Sequence, residues 1–361
     1  MKPIIKWPGG KSSEIKNIYD LIPKYDRYIE PFFGGGAVYF ALQPKNAVIN
    51  DISETLIDFY NLVKKQDEKL KKYLLAYSDS MSDLLIKAED NYDKIYKVYT
   101  SDKDNEIIGL INEIVVDILD LNLIVLNLSE FKETLIINVK DKFVRTKKNN
   151  DKKPFSDADL KDNLITGFMS GYYMYFRNIY NRILLNKLDV DKSYKVANFY
   201  YIREYCYASM FRYNKYGEFN IPYGGISYNK KDFKNKINNI FNSDIENLMK
   251  GTNIFNVDFE KLLLTELKLN ENDFIFLDPP YDTEFSDYEG KSFNKNDQKR
   301  LADTLTKIKA KFILIIKNTD YIYSLYKDNF RILTFDKNYT YNVRSRNDRS
   351  VEHLIITNIP D

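Results

Sequence analysis

The stretch "RYIEPFFGGGAVYFALQPKNAVINDIS", residues 27–53, decides how this chain is read. Tyr28 and Ile29 form a short apolar strand running into Glu30. Gly34, Gly35 and Gly36 make a turn, and a helix follows. "NAVINDIS" is a second strand ending in Asp51. Leu56, Ile57, Tyr60 and Val63 then recur at helical spacing. Strand, glycine turn, helix, strand, acidic residue is the first half of a doubly wound nucleotide-binding sheet. Phe32-x-Gly34-x-Gly36 lets the backbone turn sharply and lie against a cofactor, although a packed strand-to-helix turn can use the same residues. The dehydrogenase pattern G-x-G-x-x-G is absent, because position 39 is Tyr. Asp51 can hydrogen-bond ribose hydroxyls or cap the next helix, with Ser53 as a competing cap.

Upstream lies "WPGGKSS", residues 7–13, which ends like a phosphate loop in Gly10-Lys11-Ser12. That loop needs a glycine five places before its last glycine, and the residue there is Ile5. It also needs a full buried strand before it, and only Met1 to Ile5 precede. The spacing therefore argues against a phosphate loop. Ile15, Ile18, Tyr19 and Ile22 predict a helix that Pro23 stops.

Downstream the sheet pattern disappears for about two hundred residues, a span comparable to a domain. Residues 66–165 read as charged and helical, with a basic run from Lys140 to Lys153 carrying seven Lys or Arg against two Asp. Such runs are usually solvated faces. Residues 166–255 are crowded with Tyr, Arg and Asn. The sheet resumes at "DFIFLDPPY", whose buried strand delivers Asp278 to its carboxyl end. "KFILIIKNTD" is a second buried strand, and the tail reads as antiparallel strands, with His353 in one of them as a structural residue. The expected organisation is one α/β domain, 1–65 with 256–361, split by a mainly helical insertion at 66–165 and a helical segment at 166–255.

Composition narrows the chemistry. The 361 residues carry a net charge of only +2, so no global field points to nucleic acid. The single cysteine, Cys206, rules out an intrachain disulfide. With one histidine, His353, no histidine metal centre is expected, and the commonest general base is scarce. The most apolar stretch, Ile107 to Leu128, is interrupted by Glu113, Asp117 and Asp120, so it reads as a buried helix and not a membrane span. No signal peptide is visible, and a cytoplasmic location is expected.

"DPPY", Asp278 to Tyr281, is the sharpest signal. Two prolines after a buried strand fix the chain and remove two donors. Rigid carbonyl acceptors beside a carboxylate suit an amino group, and Tyr281 offers a flat face for a planar base. The carboxyl edge of such a sheet is where ligands bind.

Together these stretches resemble the D12-class (Dam-like, alpha-group) adenine-N6 DNA methyltransferases. "KWPGGK", "EPFFGGGAVYF", "NDISETLIDFYN", "RYNKYGEFNIPYG", "FLDPPY", "FNKNDQKRLADTL", "ILIIKNTD" and "RSRNDRSVEHLIITN" run in that family's order, across nearly all of the chain except about 76–165. The resemblance implies a Rossmann-like sheet that binds S-adenosylmethionine and a separate helical domain that reads double-stranded DNA. Trp7, Lys11, Asp51 and Asp278 would contact the cofactor. Phe32, Gly34 and Gly36 would wall its methionine end with Glu30 nearby, and Asp258 would lie near its adenine. Asp278, Pro279, Pro280 and Tyr281 would form the catalytic segment around a flipped-out adenine. No metal is needed, because the donor brings its own leaving group.

Arg212, Asn214, Lys215, Tyr216, Asn220 and Tyr223 are the expected DNA contacts. The aromatic residues from Tyr200 to Phe211 serve core packing equally well, and Arg344, Arg346 and Arg349 are either phosphate contacts or a solvated hairpin. The implied role is modification in a restriction-modification or related defence system, with a cognate restriction endonuclease as partner. Two alternatives stand beside it. One is N4-cytosine methylation, whose sites more often begin with Ser. The other is an inactive DNA-binding subunit, against which the intact motifs count. Cytosine-C5 chemistry is disfavoured, since Cys206 lacks the Pro-Cys context.

Overall fold

The computed structural model describes residues 1–9, 14–101, 103–210, 212–226, 232–280, 287–288, 291–338 and 350–360. Lys11, Tyr281, Arg344, Arg346 and Arg349 lie outside them. The chain divides into two compact units, residues 1–64 with 243–361, and residues 65–242.

The first unit is built on a seven-stranded sheet. Its strands are β1 (Arg27–Glu30), β2 (Ala47–Asn50), β3 (Thr252–Phe255), β4 (Asp273–Leu277), β7 (Lys311–Lys317), β8 (Arg331–Asn338) and β9 (Ser350–Thr357), and a separate two-stranded ribbon pairs β5 (Asp287–Tyr288) with β6 (Lys291–Ser292). The order is β3-β2-β1-β4-β7-β9-β8. β1, β2, β3, β4 and β7 pair in parallel, and β9 runs antiparallel to both neighbours. β4 is buried throughout, as an apolar run in a central parallel strand should be. Arg27 clamps β1 to β4 with a fork onto Asp273, Nε to Oδ1 at 2.9 Å and Nη2 to Oδ2 at 2.8 Å.

Helices α1 (Ile15–Ile18), α2 (Ala37–Leu42) and α3 (Glu54–Lys64) belong to the first half of this unit. One face of the sheet joins Ile29, Ile275, Leu277, Leu314 and Ile316 to inward residues of later helices in a single apolar core. The chain leaves β1 toward β2 and β4 toward β7, so the direction of winding reverses between β1 and β4. Ligands of open α/β sheets bind outside the carboxyl ends of strands at such a reversal.

The second unit is helical: α4 (Glu68–Asp90), α5 (Tyr92–Ser101), α6 (Asp104–Val115), α7 (Leu121–Ile124), α8 (Leu128–Lys152), α9 (Asp157–Leu184), α10 (Lys192–Tyr205) and α11 (Phe233–Ile240). Asp67, Asn127, Ser156 and Asp191 cap α4, α8, α9 and α10 by accepting a backbone N–H. α8 and α9 approach closely where α9 carries Gly167 and Gly171. A Cβ on Gly171 would lie 3.0 Å from Leu135 Cα, and one on Gly167 3.2 Å from Val139 Cα. Tyr200, Tyr201 and Tyr205 of α10 are buried, so these rings serve core packing.

Three expectations change. The return to the sheet comes at Ser243, not 256, because Thr252–Phe255 is the edge strand β3 and α12 (Ser243–Lys250) precedes it in the same unit. "TNIF" has one fully buried residue and no apolar run, which hides it in the sequence. Residues 66–165 and 166–242 form one unit, not two, since α8 packs along α9. Finally, Ile107 to Leu128 is not one helix: α6 and α7 are separated by a turn in which Asp117 and Asp120 adopt left-handed φ of 55°. Among the described residues no helix is long and apolar enough to cross a membrane.

Candidate active site

The carboxyl ends of β1, β2, β3 and β4 carry most of the residues expected at the site. After β1 the chain turns through Gly34 and Gly36, with φ of +49° and +65°. Neither has room for a side chain: a Cβ on Gly34 would lie 2.6 Å from Trp7 Cδ1, and one on Gly36 would lie 2.4 Å from Phe33 Cζ. Trp7 therefore lies directly over the glycine turn. Asp51, just past β2, accepts the Gly34 N–H through Oδ2 at 2.8 Å and the Ser53 N–H through Oδ1 at 2.9 Å. Tyr60 on α3 donates to the Gly34 carbonyl at 2.9 Å. The cap of α3 falls to Ser53, whose Oγ accepts from Leu56 N at 3.4 Å.

Glu30 is buried at the end of β1, two residues from Tyr28 and on the same face. The Tyr28 hydroxyl donates to Glu30 Oε2 at 2.7 Å. Burial drives the Glu30 carboxyl well above the ordinary carboxylate range; the Tyr28 bond holds it back, and the charges of Asp278 and Asp51 push it further. The charges of Asp278 and Asp51 thus reach Glu30 from the neighbouring strand ends. Burial also raises Asp51, against the backbone bonds from Ser53, Gly34 and Ile52.

Asp278 and Pro279 leave the end of β4, Pro279 buried and Asp278 half-buried. Asp258 follows β3 and caps the turn α13 (Phe259–Lys261) by accepting the Glu260 N–H at 2.9 Å. Its Oδ1 also receives Arg300 Nη2 at 2.7 Å. Arg300, on α14 (Lys295–Leu305), binds Glu260 and Asp297 as well, at 3.0 and 2.8 Å, and stands 4.9 Å from the Phe259 ring centroid. Phe32 packs on Phe259 at 5.3 Å and edge-on to Phe293 at 5.6 Å.

Sequence reasoning missed two buried amides. Asn50 donates to the Pro31 and Val257 carbonyls at 3.0 Å each and accepts the Val257 N–H at 2.9 Å, binding the segments after β1 and β3 to β2. Gln298 on α14 donates to the Pro280 carbonyl at 2.9 Å. Both lie in quoted motifs, and only their burial marks them out.

In the helical unit, Arg212, Asn214, Lys215, Tyr216 and Asn220 come together on one hairpin. Arg212 Nε donates to Asn220 Oδ1 at 2.9 Å. Asn214 is committed to the turn itself: Oδ1 accepts Tyr216 N and Glu218 N at 2.9 and 3.1 Å, and Nδ2 donates to Glu218 at 2.9 Å. Tyr216 is 68% exposed at the tip, with Lys215 Nζ 5.0 Å from its ring. Asn181 of α9 holds the hairpin from behind through both the Phe219 N–H and carbonyl, at 2.8 and 3.0 Å. Tyr223 stands apart, bridged to Cys206 and packed 5.8 Å from the Tyr173 ring. Cys206 and His353 are both buried, His353 against Phe335 in the sheet.

Residues 7–164 and 91–341 match the D12 class N6 adenine-specific DNA methyltransferase family. The chain belongs to this family. It is an adenine-N6-specific DNA methyltransferase. The type II methyltransferase M.CviBI of Paramecium bursaria Chlorella virus NC1A is 26% identical over 99% of this chain and 100% of its own length. The type II methyltransferase M.MjaIII of Methanocaldococcus jannaschii is 27% identical over 91% of this chain and 88% of its own. A DNA adenine methylase of Vibrio cholerae is 22% identical over 85% and 76%.

Proposed function

We propose that this methyltransferase takes its methyl group from S-adenosylmethionine and places it on N6 of an adenine flipped out of a specific double-stranded DNA sequence, as the modification partner of a restriction endonuclease. The observation that carries this reading is the position of Asp278-Pro279-Pro280 at the end of β4, beside the sheet's reversal and the glycine turn after β1. The type II naming of M.CviBI and M.MjaIII supports the modification role.

The residues present fit that cofactor. A turn with no room for side chains at Gly34 or Gly36 lets backbone approach a ligand, and the carboxyl groups of Asp51 and Asp278 at neighbouring strand ends suit a cofactor that carries a sulfonium and an ammonium. Trp7, Phe32, Asp51 and Asp258 would hold it, with Lys11 from the opening stretch. When bound, it supplies a methyl group on positive sulfur that departs as a neutral thioether.

Adenine within a duplex is out of reach and must leave the stack. Tyr281 stacks on it. Asp278 and the Pro279 carbonyl accept the N6 hydrogens, which raises electron density on N6 and aligns it for in-line attack; the surplus N6 proton is then released. Positioning and electrostatics supply most of the acceleration. The hairpin of Arg212 to Asn220 reads the DNA, with Tyr223 supporting its base, and the basic end of α8 meets phosphates.

Incubation with methyl-labelled S-adenosylmethionine and unmethylated plasmid DNA, followed by nucleoside analysis and modification-sensitive sequencing, tests this. Label in N6-methyladenine at one recurring sequence is expected. Label in cytosine, or at scattered adenines, overturns the reading.

A further inference from the structure

Gln298 occupies the first turn of α14 and is wholly buried. That turn is held in place from both sides. Asn294 and Asp297 form a reciprocal cap, and Arg300 ties the helix to Asp258 and Glu260. Gln298 Nε2 donates to the Pro280 carbonyl, while its Oε1 is buried with no hydrogen-bond partner among the described residues. A buried amide used on one side only is costly, and the neighbouring inward positions of α14 are Leu301, Ala302 and Leu305. An apolar residue at 298 would fill the space without that cost.

The glutamine holds the Pro280 carbonyl from outside the Asp-Pro-Pro segment. Pro279 and Pro280 have no N–H, and each proline ring fixes φ but leaves ψ free. Anchoring the Pro280 carbonyl fixes the far end of the Asp278-Pro279-Pro280 segment, whose near end is set by the buried strand β4.

We propose that Gln298 is a positioning residue for methyl transfer: its amide locks the Pro280 carbonyl and so holds the Asp278 and Pro279 acceptors in the geometry that receives the adenine amino group. This rests on the role given to Asp278 and Pro279 above.

Three variants test it: Gln298→Met, Gln298→Glu and Asp278→Ala. Each is assayed by single-turnover transfer to plasmid DNA from a host lacking adenine methylation. Affinities for S-adenosylmethionine and DNA and the melting temperature are measured alongside. Q298M removes the donor at similar length, and its bound-complex rate should fall about tenfold to a hundredfold with both affinities unchanged. Q298E is isosteric and separates hydrogen bonding from packing. Ionised, it cannot donate to the carbonyl; protonated, it can, and burial raises its titration. Its rate relative to wild type should therefore recover as pH falls from about 8 to about 6.

A wild-type transfer rate in Q298M overturns the proposal. So does a pH-independent Q298E ratio, or a Q298M that loses only affinity or melting temperature. If Asp278→Ala retains transfer, the acceptor reading falls and the role of Gln298 falls with it. An inactive Asp278→Ala beside a fully active Q298M overturns the role of Gln298 alone.

Discussion

Asp51 Oδ2 accepts the backbone N–H of Gly34 at 2.8 Å, joining the end of β2 to the turn that follows β1. With Tyr60 on the Gly34 carbonyl, both polar groups of one peptide position are held by side chains from β2 and α3. The glycine turn is thus pinned in shape before any ligand arrives.

Asp51→Ala strands the N–H groups of Gly34 and Ser53 and should cost about 1–3 kcal/mol of stability. Tyr60→Phe keeps the ring beside Phe33 and should cost about 1 kcal/mol. Urea denaturation of both single variants and the double variant checks this, and non-additive losses are expected because the two bonds converge on Gly34.

Gly34→Ala places a Cβ 2.6 Å from Trp7 Cδ1 and forces alanine into left-handed φ. The strain alone is about 1–2 kcal/mol. Trp7→Ala in the same chain should recover the part due to collision and leave the backbone part, which calorimetry of the two variants separates.

Glu30 gives stability a pH dependence of known sign. Its folded titration is raised, chiefly by burial, so the folded state binds the proton more tightly than the unfolded state. The favourable contribution is complete below the unfolded carboxylate range and is lost as pH rises through the window up to the raised folded value. Glu30→Gln can keep the Tyr28 bond and removes the charge. Its melting temperature relative to wild type should climb as pH rises through that window. A constant difference from acid to neutral pH would contradict this account.

Lys148, Lys152 and Lys153 are exposed at the end of α8, whereas Lys147 Nζ lies 5.5 Å from the Tyr99 ring centroid and Lys142 is half-buried. Replacing the three exposed lysines with Gln should reduce the slope of log binding constant against log salt by about 0.9 for each that meets a phosphate. Sequence preference and cofactor affinity should not change. An unaltered slope would leave this end of α8 as a solvated face.

Asp278→Ala should abolish methyl transfer with the melting transition intact, because the carboxylate acts where N6 is activated and stabilises the transition state. Near wild-type turnover in the variant would remove Asp278 from the mechanism.

The sequence alone determined the sheet's first half, the apolar strands that become β4 and β7, and the family. Each is a local pattern: apolar runs, a glycine cluster, two prolines after an aspartate, all read within a few neighbours. Tertiary structure alone decided that Asp51 serves the Gly34 turn, that Asn50 reaches Val257 and that Arg300 gathers Asp258 and Glu260. It also decided that "TNIF" is an edge strand, that residues 65–242 are one unit, and that Ile107 to Leu128 breaks at Asp117 and Asp120. The reason is physical. Apolar periodicity records which face a segment buries, but a polar side chain's role depends on a partner brought near by the fold. Asn50 and Val257 are separated by 207 residues and meet at 3.0 Å only because β2 and β3 pair in the sheet.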